Sequence, residues 1–259
     1  MRLARIVRGS RAFPAVQVDG LWRETATIGA TRPVDDGTDG GEPELLAPVE
    51  PLVVFGMSHN DGADNRLVPA QGFLRPARGV VGPGARVAAG RAHGPIVVEG
   101  ELTVVIGAPA RDVPVDRVAE VVLGYTIADD VTRPAQFALD DHLVQAKGSA
   151  TPVGPWIETD LDPAALGIRT YVDGELRASG TTADLAYGVA ETVAYLSRYV
   201  DLGPGDLVLT GAPGTGATVD RDARIRIEID GIGALEHEIR FTDTAVTDTA
   251  VADTAGDDR

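Results

Sequence analysis

The sequence predicts a strand-rich, mixed α/β fold with few helices. Three observations carry that expectation. Apolar and polar residues alternate in many short runs, the period of two that half-buried strands show. Asp19-Gly20 and Asp173-Gly174 stand between such runs, and Asp-Gly supplies the positive φ angles that short hairpin turns need. Only one stretch sustains a helical period: Leu185, Val189, Val193, Leu196 and Val200 fall on one face of a helix from about Asp184 to Tyr199.

Taken in order, residues 1 to about 30 read as a small β-meander turning at Asp19-Gly20. Pro33 to Glu50 is rich in Gly, Pro and Asp and reads as an acidic loop. Pro51 to Gly56 reads as a short buried strand feeding a polar lid-like segment, Met57 to Asn65. Residues 69–95 are dense in Pro and Gly, with short strands. Ile96 to Ile106 is a strand or strand pair, and Asp116 to Val122 a short helix started by Pro114. Gly124 to Ile127 runs as a strand into Asp129-Asp130. Ile168 to Ala178 forms the Asp173-Gly174 hairpin, and Ile225–Asp230 pairs with Leu235–Phe241 through Gly231-Ile232-Gly233. Thr-Asp-Thr-Ala-Val occurs at 242–246 and again at 247–251, so the last residues read as a disordered acidic tail. The expected organisation is therefore an N-terminal meander and loop (1–50), a strand-rich main domain (51–241) and a tail (242–259).

A chain of 259 residues can bury a core without disulfides, and it has no cysteine. That excludes a thiolate nucleophile and a zinc–thiolate site. A net charge of −16 argues against a nucleic-acid partner. No apolar run approaches the ~18–20 residues of a membrane span, and the first residues show no signal-peptide pattern, so the expected location is the cytoplasm.

One count points to chemistry. Lys147 is the single lysine beside 22 arginines. An ammonium is a compact charge with a tunable pKa, which a guanidinium cannot imitate, so a lone lysine in such a composition is a candidate functional group. Glu99 and Glu101 lie two apart in an apolar strand and leave it on one face. With Asp130 they make three carboxylates, a set suited to a hard ion such as Mg²⁺ or Mn²⁺. The alternatives are an ordinary solvent face for the two glutamates and a polar turn for Asp129-Asp130. Thr210-Gly211-Ala212-Pro213-Gly214-Thr215-Gly216 could offer backbone N–H groups to an anion, yet it lacks the Gly-Lys-Ser/Thr ending of a phosphate loop. The polar segment after the first buried strand contains His59, Asp61 and both asparagines, Asn60 and Asn65. His93, His142 and His237 have no partner spacing and read as structural.

Several motifs together resemble the fumarylacetoacetate hydrolase family over about residues 52–240. They are Glu99-Gly100-Glu101-Leu102, Gly124-Tyr125-Thr126-Ile127-Ala128-Asp129-Asp130-Val131, and Ala146-Lys147 followed by Thr151-Pro152-Val153-Gly154-Pro155-Trp156. Val172-Asp173-Gly174-Glu175, Pro204-Gly205-Asp206, Thr210-Gly211-Ala212-Pro213 and Gly231-Ile232-Gly233 follow. The resemblance implies a β-roll fold, a homodimer, and Mg²⁺ or Mn²⁺ held by Glu99, Glu101 and Asp130 with Lys147 beside the substrate. It also implies a small-molecule 2-oxo acid or 1,3-dicarbonyl substrate whose enolate the metal stabilises as a Lewis acid.

The substrate side departs from the pattern. The family lid reads Gly-x-Asn-Tyr-x-x-His-x-x-Glu, with a His and Glu that activate water. Aligned from Gly56, those places hold Ser58, His59, Gly62 and Asn65. Ala-Arg-Asp-x-Gln falls on residues 133–137, leaving Arg133 and Gln136 as displaced substrate contacts. Thr-Gly-Thr-Pro becomes Thr210-Gly211-Ala212-Pro213, with Thr210 and Gly211 kept as candidate substrate contacts and one hydroxyl lost. The expected activity is C–C bond hydrolysis, with His59 and Asp61 or Asp64 as a replacement base. The alternatives are a decarboxylase, isomerase or cyclase-like enzyme without water activation, and a non-catalytic scaffold.

Overall fold

A computed structural model describes residues 1–34, 43–67, 69–136 and 150–243. Lys147, His142, residues 35–42 of the acidic loop and the tail from residue 244 lie outside the described residues. Seventeen strands and one α-helix occur among those described. The strands are β1 (Arg2–Arg8), β2 (Arg11–Val18), β3 (Leu21–Glu24), β4 (Glu44–Leu45), β5 (Val54–Ser58) and β6 (Gln71–Arg75). Next come β7 (Val80–Val81), β8 (Arg86–Gly90), β9 (Ile96–Ile106), β10 (Val122–Asp129), β11 (Thr151–Glu158) and β12 (Gly167–Val172). The chain continues with β13 (Glu175–Thr181), α1 (Val189–Leu196), β14 (Leu207–Leu209), β15 (Gly216–Val219), β16 (Ala223–Ile229) and β17 (Gly233–Thr242).

The expected strand-rich architecture is present. One twelve-stranded sheet runs β3-β2-β1-β11-β10-β9-β14-β5-β6, with β4, β7 and β15 pairing off that path; a second has five strands, β13-β12-β16-β17-β8. Pairing is mostly antiparallel. The N-terminal meander turns where expected, with φ at 51° for Asp19 and 80° for Gly20, and its first strand pairs with β11. Asp173 and Gly174 likewise take positive φ in the β12–β13 turn.

β16 and β17 show how patterning places the core. Ile225, Ile227 and Ile229 alternate with Arg224, Arg226 and Glu228, and Leu235, His237, Ile239 and Phe241 are the buried set of β17. Those apolar side chains join Leu102, Val104 and Ile106 of β9 in one cluster. β9 is therefore covered on both faces, so charged residues in it are drawn into the interior.

Three element expectations are corrected. The residues expected to be helical from Asp116 form a 3-10 turn, Val115–Glu120, and Val122 already belongs to β10. The helix expected from Asp184 to Tyr199 is only Val189–Leu196. Tyr187 donates its N–H to the Asn60 side chain (2.7 Å) and Gly188 donates to Glu191 Oε2 (3.1 Å), which starts the helix late. The strand expected from Pro51 begins at Val54. Leu52 and Val53 donate their N–H groups to Asp206 Oδ1 at 3.1 and 2.8 Å, and Leu52 projects into solvent.

Candidate active site

The centre of β9 and the end of β10 meet the segment after β5 at a cavity of about 620 Å³. Glu99, Glu101 and Asp130 all line it, together with Ser58, His59, Asn60 and Asp61. Met57, Phe73, Val97, Pro134 and Ala212 supply an apolar part of the wall. The fold thus brings the three carboxylates and the lid residues His59 and Asp61 to one place, although His59 lies 40 residues from Glu99 and 71 from Asp130 in sequence.

Each carboxylate is held differently. Glu101 is 3% exposed, and its Oε2 accepts the Gly211 N–H at 2.6 Å. Burial, reinforced by neighbouring Glu99, pushes its carboxyl up to about 8. Glu99 is half-buried; its Oε2 accepts from the Thr132 hydroxyl at 3.1 Å, and burial also raises its pKa. Asp130 is buried and paired with the guanidinium of Arg75, whose Nη2 also donates to the Val131 carbonyl at 2.9 Å. Burial lowers Arg75 to about 10, against the opposing pull of Glu101, Asp129 and Glu99.

Four acids, Glu99, Glu101, Asp129 and Asp130, therefore act on the buried Arg75 guanidinium, and the buried Arg133 guanidinium opposes their pull. Burial is the largest cause of the rise at Glu101, and the neighbouring acids Glu99 and Asp129 add to it. Among the described residues no three acids or histidines are already converged on a common point as metal ligands. Asp130 is engaged by Arg75 instead.

The other expected contacts are placed as follows. Arg133 is buried and donates Nη2 to the Ala88 carbonyl at 3.3 Å. Gln136 ends a 3-10 turn begun by Pro134. The Thr210 hydroxyl donates to the Leu102 carbonyl at 2.8 Å, within the sheet, and the Gly211 N–H holds Glu101. Ala212 presents its methyl to the cavity. His59 is exposed at φ 54°, and Asp61 accepts from the Asn65 amide.

Sequence reasoning missed Arg75, Thr132 and the anchoring role of Asn60. Asn60 is buried and donates to the carbonyls of Tyr187 (2.9 Å) and Thr210 (2.6 Å). Its rarity in the composition was the available signal. Arg75, between Phe73-Leu74 and Pro76, gave none, because its acidic partner lies 55 residues away. Asp129, next to a proposed ligand, accepts a hydrogen bond from the Glu99 main chain and faces His237.

Residues 54–240 match the family model described as fumarylacetoacetate (FAA) hydrolase C-terminal. The chain belongs to the fumarylacetoacetate hydrolase family. A Mycobacterium tuberculosis relative is 39% identical over 173 residues, 64% of this chain and 65% of the relative. A Salmonella dublin 4-hydroxyphenylacetate degradation bifunctional isomerase/decarboxylase is 38% identical over 159 residues, 57% of this chain. This chain covers only 36% of that enzyme. Among solved structures, the 5-carboxymethyl-2-hydroxymuconate delta-isomerase of Mycobacterium smegmatis superposes with a TM-score of 0.85 at 32% identity. The alignment covers 93% of this chain and 100% of that one. The fumarylacetoacetate hydrolase of Exiguobacterium antarcticum gives 0.81 at 26% identity, with the same coverage. The family's members so far named include both isomerase/decarboxylases and hydrolases, so membership leaves the reaction open. No helix among the described residues is long and apolar enough to cross a membrane.

Proposed function

We propose that this protein is a Mg²⁺- or Mn²⁺-dependent enzyme that enolises a small 2-oxo acid or 1,3-dicarbonyl compound, and that its reaction is an isomerisation or decarboxylation. The observation carrying this reading is the convergence of Glu99, Glu101 and Asp130 on one cavity beside the Ser58–Asp61 segment. The donor set fits a hard divalent cation: all three groups are carboxyl groups, and a bound cation would favour the ionised forms that burial disfavours at Glu99 and Glu101. When bound, the cation would act as a Lewis acid on the substrate oxygens and stabilise the enolate charge.

The chain's own residues do the rest. Glu99, Glu101 and Asp130 would hold the cation, with Asp130 released from Arg75 to do so. Thr132 and the Gly211 N–H keep the two glutamates oriented. Met57, Phe73 and Val97 exclude water from one side of the cavity and favour an apolar substrate portion there. Lys147 is proposed from the sequence as the proton relay or counter-charge beside the substrate. The family implies that the enzyme works as a homodimer. Isomerisation or decarboxylation is favoured over hydrolysis because the lid lacks the His–Glu pair at the family spacing, and because an isomerase/decarboxylase and an isomerase stand among its relatives at 38% and 32% identity.

Thermal unfolding tests the reading. Mg²⁺ and oxalate together, each at ~100 times its dissociation constant, are expected to raise the unfolding temperature by a few degrees, since saturation of that order contributes roughly 2.7 kcal/mol. The absence of any shift with Mg²⁺, Mn²⁺ or either plus oxalate would refute it. Hydrolysis stays as a second reading on one observation: His59 and Asp61 both line the cavity with the carboxylates. If they form a substitute base, His59→Ala should lower kcat by about 10²-fold or more with little effect on stability. An unchanged kcat would remove the substitute base.

A further inference from the structure

A second pair of groups lies behind the proposed ligands. Asp129 and His237 are buried with no exposed side-chain surface, and His237 Nε2 stands 2.7 Å from Asp129 Oδ2. The other carboxylate oxygen, Oδ1, accepts the main-chain N–H of Glu99 at 2.7 Å. The next residue completes the clamp, because the Asp130 N–H donates to the Glu99 carbonyl at 2.9 Å. Both polar groups of the Glu99 main chain are thus held by consecutive residues at the end of β10.

His237 enters from the other sheet. It is an inward position of β17, between Leu235 and Ile239 and opposite Ile225 of β16. A histidine in an otherwise apolar inward series is costly unless its polar atoms are used. Its Nδ1 has no hydrogen-bond partner among the described residues, so the contact to Asp129 is the interaction that justifies the ring there. A carboxylate only accepts, so with Asp129 ionised the ring proton sits on Nε2 and points at Oδ2. The packing of the small sheet on the large one therefore sets the position of the Asp129 carboxylate, and through it the Glu99 backbone.

We propose that Asp129 and His237 are a positioning pair that fixes Glu99 as a metal ligand. Neither group touches the cavity. They act on the ligand through its main chain, as outer groups around metal sites commonly orient inner ones. This inference rests on the proposed role of Glu99 as a ligand.

The experiment titrates Mn²⁺ alone into the full-length protein and follows the free Mn²⁺ signal by electron paramagnetic resonance, with thermal unfolding recorded in EDTA. His237→Leu is expected to weaken Mn²⁺ binding by about 10- to 100-fold, the range typical of such outer groups. His237→Gln, which restores an N–H donor, is expected to recover most of that affinity. A merely structural histidine would lower the unfolding temperature in both variants and leave Mn²⁺ affinity unchanged. Wild-type affinity in folded His237→Leu overturns the inference while leaving the metal site standing. Absence of Mn²⁺ binding by the wild-type protein would sink the metal reading and this inference with it. If His237→Leu does not fold because Asp129 is stranded, Asp129→Ala decides, since it removes the acceptor without burying a lone charge. A loss of tenfold or more is then expected, and unchanged affinity overturns the pairing.

Discussion

Glu101→Gln is expected to unfold at a higher temperature than the wild-type protein in EDTA at pH 8, and to lose the stabilisation that Mn²⁺ confers. The two effects have opposite sign and one cause. Burial and neighbouring Glu99 push the Glu101 carboxyl from 4.5 up to about 8. The folded protein therefore disfavours its ionised form, while the unfolded chain ionises freely. Wild-type stability is lost as pH rises from about 4.5 through 8, by at most about 1.4 kcal/mol per pH unit for this group. Glutamine does not titrate, so the gap in its favour widens across that window. It also keeps an oxygen able to accept the Gly211 N–H, now 2.6 Å from Glu101 Oε2. A neutral amide oxygen is a poor substitute for a carboxylate on a divalent ion, so the metal-dependent shift should vanish. A variant no more stable than wild type in EDTA at both pH 6 and pH 8 would show that the fold already balances the Glu101 charge. A retained Mn²⁺ shift would remove Glu101 from the ligand set.

Gly211→Ala is expected to cost about 2–4 kcal/mol of stability and nearly all activity. Gly211 has φ +103°, where a side chain is strained, and an added Cβ would lie 2.8 Å from both the Cβ and the carbonyl oxygen of Asn60. Asn60 cannot give way easily, because its amide is tied to Tyr187 and Thr210. Strain of roughly 1–3 kcal/mol and overpacking of similar size are both expected at such a position. Activity falls as well because the displaced N–H is the group that orients Glu101. Gly214→Ala is the control: its φ is also positive, at +71°, but the added Cβ would meet only the Ser179 carbonyl at 3.7 Å. Urea denaturation of the two variants measures the difference. Equal, small losses would mean that the Gly211–Asn60 contact yields without cost.

The alternating runs, the Asp-Gly turns and the carboxylate spacing in β9 were local features, and local features can be read from a linear string. A strand's period assigns its faces, and a turn needs two residues with the right φ, so the strand-rich class and the Asp19-Gly20 and Asp173-Gly174 hairpins were legible. So was the shared cavity of the three acids, because Glu99 and Glu101 share a face of one strand and Asp130 directly follows the next. The inward place of His237 was equally written in the alternation of β17, though its purpose was not.

The late start of α1 was not legible, because the groups that hold its approach to an extended path include Asn60, 127 residues away from Tyr187. The same holds for Arg75 against Asp130, Gly211 against Glu101, and His237 against Asp129, 108 residues apart. Propensity and periodicity describe what a segment favours alone. Which buried charge meets which donor depends on how two sheets stack, and that is settled only when the whole chain has exchanged water for its own partners.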